Sequence, residues 1–373
     1  MHVLCFCEKW ESGGIESFLV SLFEHMDRTG LTVDLAACRV CPGVYDERLA
    51  RLGMRVLELG GSIRALNRNV RMFDQLVRAG AYDVVHLNLY EGMGLVFAGV
   101  AKKAGVPKVI VHSHNTDLRP SRTRWAKLLV HNCFKSALTR YADDRWAPSR
   151  AAAEFLFDGV SRGVRSWTLV KNGIVPERFA FDSSVRQEER DRLDVRGKFV
   201  VGCVGRYCSQ KNQSFLLDVV AQVDGVVLLL VGADDAEDGE GARLKERARA
   251  LGISDRVILH RPSREVERLY QAMDVLCVPS LFEGLGIVAV EGQAAGLPVL
   301  CSPAVPPEAR AGGLFETLPL EQERWIERLR VEMENREADA RSRTRAAHQV
   351  ADAGYDIESV AAQVRAAYLA ARQ

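Results

Sequence analysis

Val275-Leu-Cys-Val-Pro279-Ser-Leu-Phe-Glu283-Gly284-Leu-Gly286-Ile-Val-Ala-Val-Glu291-Gly-Gln-Ala-Ala-Gly296-Leu-Pro298-Val-Leu-Cys-Ser302 contains a strand, a glycine-bearing loop, a helix and a second strand in one pass. The apolar runs 275–279 and 298–302 are short and uninterrupted, as strands covered on both faces are. The segment 287–295 between them has helical length and composition. The same alternation extends upstream. Runs at 199–204, 226–231 and 257–260 read as strands, and 213–223, 242–251 and 266–273 read as helices. Alternation of this kind calls for a parallel sheet covered by helices on both faces, an α/β doubly wound unit.

The first half repeats the pattern. Val3–Cys7, Thr32–Cys38, Arg55–Leu59, Asp83–Leu87, Val109–Val111 and Arg145–Pro148 read as strands. Helical spacing covers Glu16–Met26, Val70–Arg78, Gly92–Ala104 and Arg122–Arg140, and a further helix starts at Ser149. The polar stretch 176–197 reads as a linker, and the Arg/Glu/Ala-rich tail from about Glu321 as helix. At roughly 150 residues per domain, 373 residues make two domains. Ligands of such sheets bind at the carboxyl ends of the strands, so function is expected in a cleft there.

The bulk composition narrows the class. A formal net charge of +1 argues against a nucleic-acid partner, which calls for a basic excess. The nine cysteines are odd in number, several lie in strand-like runs, and Cys38-Arg-Val-Cys41 stands alone, so zinc is not indicated. A reducing, cytoplasmic compartment fits this usage, with no signal peptide or membrane span expected.

Several loops carry candidate chemistry. Glu283, Gly284 and Gly286 precede a helix whose amino terminus offers free N–H groups and the positive dipole end, suited to a diphosphate. Glu291 follows in that helix, and acidic side chains there often accept sugar hydroxyls; a capped helix with two solvated glutamates fits the segment alone equally well. Gly205-Arg206 and Gln210-Lys211-Asn212 follow a buried strand, where two cations can neutralise a leaving diphosphate; a solvated surface loop is the plain alternative. Gly13-Gly14-Ile15-Glu16 joins the first strand to the first helix but lacks the dinucleotide fingerprint GxGxxG. His112 and His114 share a strand face. The polar end of their strand favours ligand contact, and no neighbouring carboxylate or cysteine supports a metal.

Taken in order, these stretches closely resemble the family 4 retaining glycosyltransferases of the bacterial capsular and exopolysaccharide type. The resemblance runs through Gly13-Gly14-Ile15-Glu16, Asp83-Val-Val-His-Leu-Asn88, Val111-His-Ser-His-Asn115, Pro148-Ser149 and Lys171-Asn-Gly-Ile-Val-Pro-Glu-Arg-Phe179. It continues through Val204-Gly-Arg-Tyr-Cys-Ser-Gln-Lys-Asn212, Tyr270-Gln-Ala-Met-Asp-Val275, the E-x7-E pair Glu283 and Glu291, and Gly296-Leu-Pro298. It implies the GT-B fold, with two Rossmann-like doubly wound parallel-sheet domains facing a cleft. An acceptor-side domain would cover 1–175 and a donor-binding domain 176–354, with a terminal helix near 355–373 packing back on the first.

The resemblance also implies a hexosyl-type transferase that retains anomeric configuration, uses a nucleotide-diphosphate sugar (UDP-sugar by default), and needs no divalent metal or other cofactor. Arg206 and Lys211 would hold the diphosphate, Glu291 the ribose and Glu283 the donor sugar. Amides of Gly284, Leu285, Gly286 and Ile287 would hold sugar hydroxyls and phosphate. His114, preferred to His112, would lie near the donor sugar, and Gly14 would line the phosphate and acceptor side. Gly286 and Ile287 depart from the subtype pattern, which leaves the donor sugar open. The acceptor would be a glycan or a lipid-linked molecule in surface polysaccharide synthesis.

One stretch points to a membrane surface. Arg119, Arg122, Arg124, Lys127 and Lys135 accompany Trp125, Leu128, Leu129 and Phe134, as in helices that lie peripherally on an anionic inner leaflet; an ordinary helix with a solvated basic face fits as well. Rival readings are a nucleotide-sugar epimerase, a dinucleotide-dependent dehydrogenase and a silent nucleotide-sugar-binding partner. The E-x7-E pair with the Arg206/Lys211 loop favours transfer.

Overall fold

The computed structural model describes residues 1–11, 13–41, 43, 45–62, 65–118, 122–160, 163, 166–234 and 239–372, with the backbone alone at 336–342 and 372. The chain divides into two compact units, Met1–Ile174 with Ile357–Gln373, and Val175–Asp356.

The first unit holds seven parallel strands: β1 (His2–Trp10), β2 (Thr32–Val40), β3 (Val56–Glu58), β4 (Val84–Leu89), β5 (Lys108–Ser113), β6 (Asp144–Ala147) and β7 (Thr168–Leu169). Their order is β3-β2-β1-β4-β5-β6-β7. Successive side chains of a strand point to opposite faces, and β1 shows the consequence. Leu4 and Phe6 join Phe73 and Phe97 in one core. Val3, Cys5 and Cys7 join Phe18, Leu22, Val364 and Tyr368 in the other. The terminal helix Ile357–Leu369 therefore completes the core of the first unit, and the Ile357 amide donates to Ile174 O at 2.8 Å.

The second unit carries β8 (Phe199–Val204), β9 (Val226–Val231), β10 (Val257–His260), β11 (Val275–Val278), β12 (Val299–Cys301) and β13 (Phe315–Thr317). These too are parallel, in the order β10-β9-β8-β11-β12-β13. In both sheets the winding reverses beside the first strand, between β1 and β4 and between β8 and β11. The loops leaving those strand ends are where a doubly wound sheet binds its ligand.

Two differences from the sequence reading have physical causes. The stretch read as a linker forms the helices Pro176–Phe179 and Ser183–Arg192. Asp182 caps the second by accepting from the amides of Ser184 and Val185. Arg186 and Arg190 on that helix reach Asp274 at 2.5 and 3.2 Å, so charges that look solvated in sequence are tertiary contacts. The edge strands β7 and β13 have two and three residues, too few to show a pattern. Of the cysteines, Cys5, Cys7, Cys38, Cys203, Cys208, Cys277 and Cys301 are buried. Burial pushes the thiols of Cys5 and Cys203 up to about 12, so they pack as small hydrophobes.

Asp274 also accepts the Val200 amide at 2.7 Å, which ties the start of β8 to the Ser183–Arg192 helix. Asp274→Ala leaves two guanidinium groups facing protein without their counter-charge. Urea unfolding should show a loss of about 3–5 kcal/mol, the usual cost of removing one partner of a buried ion pair; a loss below about 1 kcal/mol would show that solvent takes over the role.

Candidate active site

In the second unit the loops after β8 and β11 are stitched together. Lys211 Nζ donates to Glu283 Oε1 at 2.6 Å, and Ser280 Oγ donates to the same oxygen at 2.6 Å. Gln210 Nε2 donates to Phe282 O at 2.9 Å, and its own carbonyl accepts the Leu281 amide at 2.8 Å. Asn212 Nδ2 donates to Pro279 O at 3.2 Å. Residues 72 positions apart in sequence thus form one wall. Glu283 is buried, and its charge is compensated in place by Lys211.

The backbone beneath is tightly packed. Gly205 O lies where a Cβ on Gly232 would sit, 2.0 Å away, so only glycine at 232 lets the β8 loop pass the end of β9. Gln213, buried at the start of the helix Gln213–Val220, donates from Nε2 to Arg206 O at 2.9 Å. Arg206 itself is half-buried. On the other side, Gly286 caps the helix Ile287–Ala294 with φ of 80°, a left-handed conformation that favours glycine. Gly284 and Leu285 are buried just before it, and Ile287 opens the helix, whose Ala289 amide donates to Gly286 O at 2.8 Å while the amides of Ile287 and Val288 precede the helical ladder. Those amides and the positive dipole end suit an anion.

Glu291 lies one turn into this helix, half-buried, with Oε2 accepting from Tyr270 OH at 2.7 Å. Burial raises its carboxyl above the usual carboxylate range, the Tyr270 hydroxyl counters this, and nearby Glu267 adds to the rise. Arg178 and Lys211 act the other way.

The first unit gathers polar groups at its own switch point. His114, just past β5, contacts Asn88 Oδ1 through Nε2 at 2.9 Å. Asn88 uses its amide NH2 toward Phe6 O and Cys5 Sγ, both at 3.3 Å. The Asn88 oxygen must therefore accept, so His114 carries its proton on Nε2 and keeps a lone pair on Nδ1. His112 is enclosed, its ring 4.1 Å from that of His114 and 5.6 Å from the stacked ring of His86. His86 Nδ1 contacts the Tyr368 hydroxyl at 2.7 Å. Burial pushes His86 and His114 down to about 3 and His112 well below its usual range, so all three are neutral at pH 7. Gly14 is the first residue of the helix Gly14–His25, with open space beside it. Glu8 on β1 is pushed up to about 8, by burial first and then by Glu91.

Residues 13–173 match the family described as Glycosyl transferase 4-like domain, and 185–345 match Glycosyl transferases group 1. The chain is 30% identical over 331 residues to the protein named glycosyltransferase EpsF of Bacillus subtilis (strain 168), covering 86% of this chain and 84% of that one. The chain belongs to the family 4 GT-B glycosyltransferases of the exopolysaccharide type. A GDP-mannose-dependent phosphatidylinositol monomannoside mannosyltransferase of Mycolicibacterium smegmatis is 26% identical over 329 residues, covering 82% of this chain and 79% of that one. In fold, Anabaena HepE in complex with UDP-glucose aligns with a TM-score of 0.80 at 22% identity, over 99% of this chain and 100% of that one.

In this glycosyltransferase, Arg206, Lys211, Glu283, Gly284–Ile287 and Glu291 all belong to the second unit, and His114 and Gly14 to the first. Supporting residues that the motifs did not reveal are Ser280, Gln213, Gly232, Tyr270, Asn88 and Glu8. Their roles depend on contacts formed by the fold; Tyr270, Asn88 and Ser280 stand inside the quoted motifs, but nothing there showed which side chains they hold.

The histidines also set a pH response. Unfolded, an imidazole titrates near 6.5; folded, His86 and His114 titrate near 3. Between those values the unfolded chain binds more protons, so stability is full above about pH 7 and falls as pH drops through that window. Calorimetry should show a melting temperature that is flat from pH 7 to 8 and declines from about pH 6.5 to 4.5. A melting temperature that rises over that acid range would contradict the neutral, buried assignment.

Proposed function

We propose that the enzyme moves a glycosyl group from a UDP-sugar to a hydroxyl of a glycan or lipid-linked acceptor, with retention at the anomeric carbon and without a divalent metal. The observation that carries this reading is the Lys211–Glu283 contact beside the amino terminus of Ile287–Ala294, with Gly205-Arg206 alongside. Two cations and the amides at a helix start lie on loops that leave the paired strands β8 and β11, which is what a diphosphate leaving group needs. HepE, bound to UDP and to UDP-glucose, supports the choice of uridine. EpsF supports a role in surface polysaccharide synthesis.

In this reading the bond from the anomeric carbon to the diphosphate oxygen breaks with its electrons leaving on the diphosphate. Arg206, Lys211 and the amides of Gly284, Leu285, Gly286 and Ile287 stabilise that charge. The acceptor oxygen bonds the anomeric carbon on the same face, and its proton passes to the departing diphosphate, so no protein nucleophile is required. Lys211 and Ser280 hold Glu283 Oε1 and so fix the carboxylate that takes a hydroxyl of the donor sugar. His114 offers Nδ1 as an acceptor to a sugar hydroxyl, Gly14 lines the phosphate and acceptor side, and Glu291 takes the ribose hydroxyls.

Lys211→Ala and Arg206→Ala should each lower kcat by about 10²–10³, the cost of losing one preorganised donor to developing charge. Chelator should leave the wild-type rate intact. Near-wild-type turnover by both variants would refute the diphosphate assignment, and loss restored by magnesium would refute metal independence.

A lipid-linked acceptor calls for a membrane surface, and the helix Arg124–Leu138 supplies a candidate. It has no acidic residue, and Trp125 and Leu129 are 71% and 60% exposed, with Lys127 exposed between them. Arg124 is paired with Asp117 and Lys135 with the Glu154 carbonyl, so Arg122 and Lys127 supply the available charge. Arg119 lies outside the described residues. The enzyme should sediment with phosphatidylglycerol vesicles at low salt and release at high salt. Trp125→Ser with Leu129→Ser should weaken sedimentation about tenfold or more while transfer to a soluble acceptor persists, since burying two such side chains is worth several kcal/mol; unchanged sedimentation would remove this helix from the account.

A further inference from the structure

Tyr270 lies in the helix Val266–Ala272 and is fully buried. Its ring meets Phe179 edge-on with centroids 5.6 Å apart, and its carbonyl accepts from the buried Arg343 guanidinium at 3.4 Å. Backbone and ring are therefore both held. A buried phenol needs a hydrogen-bond partner, and this one has Glu291 Oε2 at 2.7 Å. Bonds of this kind to an ionised group are about twice as strong as neutral ones. The second oxygen of the same carboxylate, Oε1, makes no hydrogen bond among the described residues, and Glu291 is half-buried.

A glutamate side chain has three rotatable torsions, and ordering them when a ligand arrives costs conformational entropy. Here one oxygen is already tied to a rigid group. The neighbouring carboxylate of Glu267 is held aside by Arg178 at 2.7 Å. We propose that Tyr270 is a positioning residue for the nucleotide ribose: it pins Glu291 by Oε2 and so presents Oε1 as a preordered acceptor for the 2′- and 3′-hydroxyls. The proposal rests on the reading of Glu291 as the ribose ligand and adds a residue that never touches the nucleotide. Removing the phenol hydroxyl frees the carboxylate to rotate and removes the donor that opposes the upward push of burial and Glu267 on its pKa.

The test is calorimetric titration of the full chain with UDP and with 2′,3′-dideoxy-UDP. Wild type should prefer UDP. Tyr270→Phe should lose about tenfold in UDP affinity, as expected when a hydrogen bond to a charged group goes, with little change for the dideoxy ligand. Glu291→Gln should narrow the preference similarly. Glu291→Asp leaves Tyr270 and its packing intact but draws the carboxylate back by one methylene; it too should lose the preference, and it keeps the test informative if Tyr270→Phe folds poorly.

Equal losses of both ligands in Tyr270→Phe would mean a structural role only and overturn the proposal. So would a full UDP preference in Tyr270→Phe or in Glu291→Asp. A full preference in Glu291→Gln overturns the ribose reading itself, and the proposal with it. Narrowing by Glu291→Gln without narrowing by Tyr270→Phe overturns the positioning role alone.

Discussion

The contact between Lys211 and Glu283 is the constraint on which the second unit's ligand-binding end depends. As an ion pair it contributes little net stability, because desolvating both partners offsets most of their attraction. Its consequence is geometric. It joins the loop after β8 to the loop after β11, and Gln210, Asn212 and Ser280 repeat that connection through neutral hydrogen bonds. A cation held by a buried carboxylate is already ordered before any anion arrives, and preordering of this kind is what makes electrostatic stabilisation effective.

The rest of the second unit holds those two loops at fixed heights. Gly232 allows the Gly205 carbonyl to pass close over β9, and Gln213 ties down the carbonyl of Arg206. Arg343 is buried, donates to Ala295 O at 2.9 Å at the far end of the Gly286-capped helix, and lies over Phe181 at 4.3 Å. Asp274 anchors the other flank through Arg186 and Arg190. The charged residues of the Ser183–Arg192 helix and of the tail are thus partly internal. The two glutamates of the E-x7-E pair have separate partners, Lys211 with Ser280 for one and Tyr270 for the other, so each carboxylate is held by its own contacts.

The first unit follows the same winding with different chemistry. Its switch point carries neutral imidazoles and a carboxyl raised to about 8 where the second unit carries cations and glycine amides. Its core is incomplete without the chain's end. Val360, Val364 and Tyr368 pack against β1 and the first helix, and the Tyr368 hydroxyl reaches His86.

The amino-acid pattern alone leads to the two doubly wound units, because uninterrupted apolar runs alternating with helical periods admit few other arrangements. It also marked the loops that follow β8 and β11, since glycines and charges directly after a buried strand stand out locally. It did not reveal β7 and β13, which are too short to carry a period. Nor did it show that Arg186, Arg190 and Arg343 serve internal contacts, because a charge paired across the fold looks the same in sequence as a solvated one. Which contacts hold Glu283 and Glu291, and which nitrogen of His114 carries the proton, follow only from the packed chain. Apart from Ser280, the partners lie 26 to 72 residues away or, for Tyr270, on another helix, and a side chain's contacts are known only once its neighbours are.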